Sequence, residues 1–122
     1  ELSRCIAALG HKDLFMVGDA GMPIPPGVEV IDLAVTAGVP SFTSVLDAVL
    51  SEAEVEGCYL AEEIRTHNED LHAYLRGRLE DIPFEYMPHE ELKKFSAKAK
   101  FAIRTGEFSP YPNVILRAGV VF

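Results

Sequence analysis

This sequence predicts an α/β fold: a three-layer α/β/α single domain over residues 1–122, built on a mostly parallel, mixed sheet. Two observations lead there. Apolar runs of strand length, such as Leu14 to Val17 and Phe101 to Arg104, alternate with segments whose apolar residues recur at helical spacing, such as Leu71, Leu75 and Leu79. Glycine, proline or a capping residue punctuates these segments, the pattern of strands joined by crossover helices.

The elements follow in order. Ser3 can cap a short helix through Arg4, Ile6, Ala7 and Leu9, and Gly10 suits the left-handed residue that ends one. Leu14 to Val17 reads as a buried strand, followed by a Gly/Pro-rich loop from Gly18 to Gly27. Val28 to Val35 reads as a second strand. Gly38-Val39-Pro40 then breaks the chain before Ser41 or Thr43 caps a helix through Leu46, Val49 and Leu50. Val55 to Ile64 is the next strand, and Asn68 caps the helix that carries Leu71, Leu75 and Leu79. Ile82 to Met87 alternates as a half-buried strand, and Pro88 opens the helix of Leu92 and Phe95. Phe101 to Arg104 and Val114 to Leu116 are the last strands, flanking a loop from Thr105 to Asn113.

Composition narrows the function. A net charge of -8 and a pI near 4.9 disfavour a phosphate-backbone partner, so no nucleic acid is expected. Lys93, Lys94, Lys98 and Lys100 are the densest basic group, but Glu90 and Glu91 precede them, which reads as a solvated helix face. The apolar runs are too short to span a bilayer, so no membrane partner is expected either. Cys5 and Cys58 lack the spacing and number of a zinc site or a disulfide scaffold, and read as reduced core residues. With no leader pattern at the start, the expected localisation is cytoplasmic.

Several constellations fail on spacing. His67 and His72 are five apart, and no metal site is expected. Glu62-Glu63 and Glu90-Glu91 are adjacent pairs whose side chains diverge, unlike a glycosidase carboxylate pair. Gly18 and Gly21 match neither a P-loop nor a dinucleotide fingerprint, Ser109 has no nucleophile-elbow context, and no cofactor is expected.

Chemistry is best supported at Gly10 to Pro25, which sets an imidazole and a carboxylate at the two ends of one apolar run. A histidine side chain works near neutral pH without needing a large environmental shift, which suits His11 to acid–base work. Its plain structural reading is a cation at a helix C-terminus. Asp19 can orient a histidine or bind a hydroxyl, or serve simply as a turn residue beside Gly18 and Gly21. Thr105 to Asn113 is dense in hydroxyl, amide and aromatic groups of the kind that hold a sugar, and its prolines stiffen it, although it also fits an ordinary turn. His89 follows Met87-Pro88 at a helix start, where it is either a first-turn residue or a contact. These loops meet only if they share one end of the sheet or if a neighbouring subunit supplies some of them.

Taken together, Leu9-Gly10-His11-Lys12-Asp13, Asp19-Ala20-Gly21-Met22-Pro23-Ile24-Pro25, Gly38-Val39-Pro40-Ser41-Phe42, Ile103-Arg104-Thr105-Gly106-Glu107 and Ser109-Pro110-Tyr111 resemble the D-ribose pyranase family over essentially the whole chain. The related fucose mutarotases share Gly-His-x-Asp, but the Asp-Ala-Gly-Met-Pro-Ile-Pro block favours the ribose branch. The resemblance implies an isomerase that interconverts the β-pyranose and β-furanose forms of free D-ribose and supplies ribokinase. It implies His11 as proton donor, and Asp19, His89, Tyr111, Pro112 and Asn113 as sugar-binding positions. At Pro112 the proline replaces a small residue and removes a backbone donor. The resemblance also implies a homo-oligomer, a decamer of two pentameric rings with sugar sites near subunit boundaries. The alternatives are a fucose-type anomeric mutarotase and a non-catalytic ribose-binding accessory protein.

Overall fold

The structure is a computed structural model that describes residues 1–119. Its centre is one six-stranded mixed sheet in the order β2-β5-β1-β6-β3-β4, where β1 is Leu14–Gly18, β2 Glu29–Asp32, β3 Val55–Ala61, β4 Phe84–Met87, β5 Phe101–Arg104 and β6 Val114–Ala118. The pairs β1–β5, β2–β5 and β3–β4 are parallel. Only β6 runs the other way, antiparallel to both β1 and β3. The mostly parallel, mixed sheet expected from the sequence is thus present, with its reversed strand at the centre.

Two apolar layers cover the sheet. On one face, Phe15, Val17, Cys58, Leu60, Ile103 and Leu116 pack against helices α1 (Leu2–Ala7), α2 (Phe42–Leu50), α3 (Ile64–His67) and α4 (Glu69–Arg78). On the other, Met16, Ala61, Ala102 and Ile115 pack against Leu92 of α5 (His89–Phe95) and against Met22 and Val28 of the Gly/Pro loop. Alternate residues of β1 and β6 therefore enter opposite cores, as the strand period of two requires. The second layer is part helix and part loop.

Four local expectations need correction. The N-cap of α1 is Glu1 and makes no side-chain capping bond, so Ser3 lies inside the helix. The left-handed residue after α1 is Lys12, at φ 73°, rather than Gly10. Gly10 instead gives its N–H to Asp13 Oδ2 at 2.7 Å, which closes the turn around His11 without the glycine. The Val28 to Val35 run is a strand only over Glu29–Asp32, because Asp32 Oδ1 accepts the Ala34 N–H and bends the chain away. Asn68 does precede α4, but its side chain makes no capping bond; its amide donates to Ser109 Oγ at 3.0 Å and to the Pro110 carbonyl at 2.8 Å. Ser41 caps α2 as expected, its hydroxyl accepting the Ser44 N–H at 3.2 Å.

Cys5 and Cys58 are both buried and free. Burial pushes the Cys58 thiol up to about 12, which leaves it an inert core group. Among the described residues, no helix is long and apolar enough to cross a membrane. One cluster of potential metal donors, Glu1, Cys5 and Glu29, lies at the amino end of the chain. Its carboxylates already pair with the Arg4 guanidinium, at 2.6 and 2.5 Å.

Candidate active site

The carboxyl ends of the parallel strands gather most of the polar groups singled out in the sequence. In open α/β sheets this is the end at which ligands bind. Gly18 ends β1, and its carbonyl accepts both the backbone N–H (3.0 Å) and the hydroxyl (2.8 Å) of Thr105, the residue after β5. Thr105 is fully buried, so this pair of hydrogen bonds seats the start of the 105–113 loop directly on β1. Gly106 follows because nothing larger fits: a Cβ there would stand 2.4 Å from the Val39 carbonyl oxygen.

Glu107 then anchors the loop from inside. Its carboxylate accepts the Phe42 N–H at 3.0 Å and the Ser109 N–H at 3.3 Å, and its carbonyl accepts the Ala20 N–H. Burial pushes the Glu107 carboxyl up, but the Phe42 amide and the Ser109 hydroxyl and amide outweigh it and hold the group below its ordinary value. Glu107 and Asn68 thus fix Ser109 and Pro110, and through them Tyr111.

Tyr111 stands at φ 55°, a left-handed backbone that bulky residues rarely adopt. Its carbonyl accepts the Asn113 N–H at 2.9 Å, a three-residue turn centred on Pro112. Proline suits that centre, because its fixed φ of about -65° lies close to the value the inverse turn requires. The Tyr111 ring is packed edge-on against His89 at 5.1 Å and tilted against His67 at 5.6 Å.

Asp19 and Asn113 form the other half of the group. Asn113 Oδ1 accepts the Asp19 N–H at 2.9 Å, and Asn113 Nδ2 lies 3.5 Å from Asp19 Oδ2. The second Asp19 oxygen accepts the Gly21 N–H at 3.0 Å, so the carboxylate is oriented from two sides. Gly18 makes room for this contact, since a Cβ there would meet Asn113 Oδ1 at 2.9 Å. His89 enters from α5, where the carboxylate of Glu63 accepts its backbone N–H at 3.0 and 3.2 Å. Its Nδ1 is buried without a hydrogen-bond partner among the described residues. A buried nitrogen of this kind costs free energy unless something meets it, which suits a binding residue.

His11 lies apart from this group. It precedes β1 while Asp19 follows it, so the five residues of β1 separate them by at least about 13 Å at the usual rise of a strand. Its Nε2 lies 3.0 Å from Glu56 Oε2, and Glu56 Oε1 accepts Arg117 Nε at 3.2 Å. The imidazole is about half exposed and lines a cleft of about 400 Å³ with Ile6, Leu9, Glu52 and Gly119. One chain therefore brings together Asp19, His89, Tyr111, Pro112 and Asn113, and leaves His11 at the opposite end of the sheet.

Sequence reading missed Glu63, Glu107, Asn68 and Glu56, all of which support these groups through partners distant in the chain. A signal existed for Glu107, an acidic residue inside a loop of hydroxyls and prolines. For Glu56 it was a lone carboxylate near the start of an otherwise apolar strand.

A protein of Lactiplantibacillus plantarum named D-ribose pyranase is 51% identical over 122 residues, covering 100% of this chain and 93% of that protein. The structure of Bacillus subtilis RbsD complexed with D-ribose superposes with a TM-score of 0.97 at 41% identity, covering 99% of this chain and 92% of that one. The fucose mutarotase of Streptococcus pneumoniae in complex with L-fucose shares the fold, with a TM-score of 0.80 at 22% identity over 98% of this chain and 91% of that one. A family profile matches residues 1–121, and the chain belongs to the RbsD / FucU transport protein family.

Proposed function

We propose that this protein is an isomerase that interconverts the β-pyranose and β-furanose forms of free D-ribose. The observation that carries the reading is the full-length 51% identity to a D-ribose pyranase. The chemistry is consistent with it. Opening β-ribopyranose breaks the C1–O5 bond, with a proton delivered to O5 and one removed from the anomeric hydroxyl. Reclosing through O4 removes the O4 proton and returns one to O1, so the proton count closes without net acid or base. His11 donates to the ring oxygen on opening and takes the O4 proton on closing. Positioned acid–base catalysis of this kind contributes ~10²- to 10⁴-fold, a useful factor for a reaction that already runs unaided in water.

Asp19, His89, Tyr111 and Asn113 hold the sugar hydroxyls, with Pro112 shaping the turn between the last two. Since His11 and this group occupy opposite ends of β1, a complete site takes His11 from one copy and the binding group from its neighbour. That arrangement fits the ring-like homodecamer implied by the family resemblance, working in the cytoplasm upstream of ribokinase.

The test is ring-form exchange of D-ribose, and of L-fucose in parallel, measured by NMR magnetisation transfer. The native protein should accelerate pyranose–furanose exchange of ribose, and both His11→Ala and Asp19→Ala should lose it. Mixing the two inactive variants after brief dissociation should restore a fraction of the activity. Acceleration confined to fucose anomers would replace this reading with an anomeric mutarotase, and ribose binding without any acceleration would replace it with a binding protein.

A further inference from the structure

We propose that Glu56 is the positioning residue of His11, and that it makes Nδ1 the nitrogen that exchanges protons with the sugar. The inference rests on the ring-form isomerase reading above and adds to it a residue and an atom.

The local backbone is built to deliver Glu56 to the imidazole. Val55 pairs with Ala118 and Gly57 with Arg117, so β3 carries one residue more than β6 at this point, and that residue is Glu56. A bulge of this kind re-aims the side chain it displaces. The next residue is Gly57, and a Cβ there would fall 2.8 Å from the Arg117 guanidinium. The missing side chain lets Arg117 lie across the strand, where Nε donates to Glu56 Oε1 (3.2 Å), Nη2 to the Glu56 carbonyl (3.3 Å) and Nη1 to Tyr59 Oη (2.7 Å). One carboxylate oxygen is thereby held by Arg117 and the other is presented to His11 Nε2 at 3.0 Å. The turn carrying His11 is tied to β6, the strand of Arg117, with Lys12 N donating to the Ala118 carbonyl at 2.9 Å and Ala118 N to the Asp13 carbonyl at 2.8 Å.

The hydrogen bond from His11 holds the Glu56 carboxyl below its usual range; partial burial opposes this, and Arg117 reinforces it. An ionised carboxylate only accepts, so the nitrogen facing it carries the proton. Neutral His11 is then the Nε2–H tautomer, with the Nδ1 lone pair free to take a proton and Nδ1–H free to give one. Charged groups near the ring among the described residues include Glu56 on β3, Arg117 on β6 bonded to it, and Glu52, which lines the same cleft.

The experiment combines a structural and a kinetic readout. Long-range ¹H–¹⁵N correlation of the native protein should show neutral His11 as the Nε2–H tautomer; an Nδ1–H tautomer would overturn the assignment with no substrate involved. In Glu56→Gln, ribose ring exchange should fall by about 10- to 100-fold with little change in ribose affinity, the size expected for losing one charged hydrogen bond. An active native protein with a Glu56→Gln variant of the same rate would remove Glu56 from the mechanism and leave the isomerase reading standing. A native protein that does not accelerate exchange at all would overturn that reading itself, and this role with it.

Discussion

Asn113 holds Asp19 in place: its side-chain oxygen accepts the Asp19 N–H at 2.9 Å across 94 residues of sequence. The bond joins the strand that opens the chain's sheet to the one that closes it. It also sets the carboxylate beside the turn of Tyr111, whose carbonyl takes the Asn113 N–H. Asn113 is only 2% exposed, so water cannot replace what it supplies.

Asn113→Ala should therefore be costly. It leaves the Asp19 N–H without a partner and frees the carboxylate, a loss of about 1–3 kcal/mol for a buried donor. In a domain of this size each kcal/mol lowers the melting temperature by roughly 3–5 °C. Thermal unfolding followed by circular dichroism checks this, and an unchanged midpoint would show that the amide does not hold the loop.

Two glycines should respond to alanine in opposite directions. At Gly106 the new Cβ would meet the backbone oxygens of Val39 and Thr36 at 2.4 and 2.7 Å, and backbone cannot swing aside as a side chain can. Overpacking of this kind costs about 1–3 kcal/mol. Gly77 lies within α4 with nothing within 4 Å of the new carbon. Alanine there should stabilise by about 0.5–1 kcal/mol through helix propensity. Urea midpoints, with unchanged slopes, read both effects.

Glu107 should make the protein sensitive to acid. A carboxyl whose native pKa is depressed contributes fully above its unfolded value, about 4.3, and the contribution fades as pH falls through the native value. At pH 7, Glu107→Ala should be less stable than the native protein by about 1–3 kcal/mol, from the loss of charged acceptors to two backbone amides. Below about pH 4 the gap should narrow as the native carboxylate protonates. Stability measured for both proteins from pH 3 to 7 tests the sign; a gap that widens towards acid would contradict it.

The fold was legible wherever local chemistry decides it. Leu14 to Val17, Leu71-Leu75-Leu79, Ser41 and Pro88 all declare strand, helix or cap within a few residues, and the structure bears them out. The reversed direction of β6 was not legible, because an apolar run has the same pattern whichever way it points. Gly10 and Asn68 misled for a related reason. Each has the right residue type for a cap, but Asp13 satisfies the first locally and the distant Ser109 and Pro110 claim the second. At the candidate site, the dense 105–113 loop and the Asp19 turn announced themselves by composition. Glu56 and Glu63 did not, since each acts on a histidine 45 or 26 residues away and only the fold reveals the pairing.

The reversed strand carries a further consequence. Asn113 stands at its head and Arg117 four residues on, so β6 is the ruler that spaces the Asp19–Asn113 end of the molecule from the His11–Glu56 end. A slip of one residue in β6 would carry Arg117 off Glu56 and Asn113 off Asp19 in a single step, and would turn Ile115 and Leu116 into the wrong cores. Insertions tolerated elsewhere in the chain would here disable both ends at once, making these five residues the part of the sequence least free to change in length.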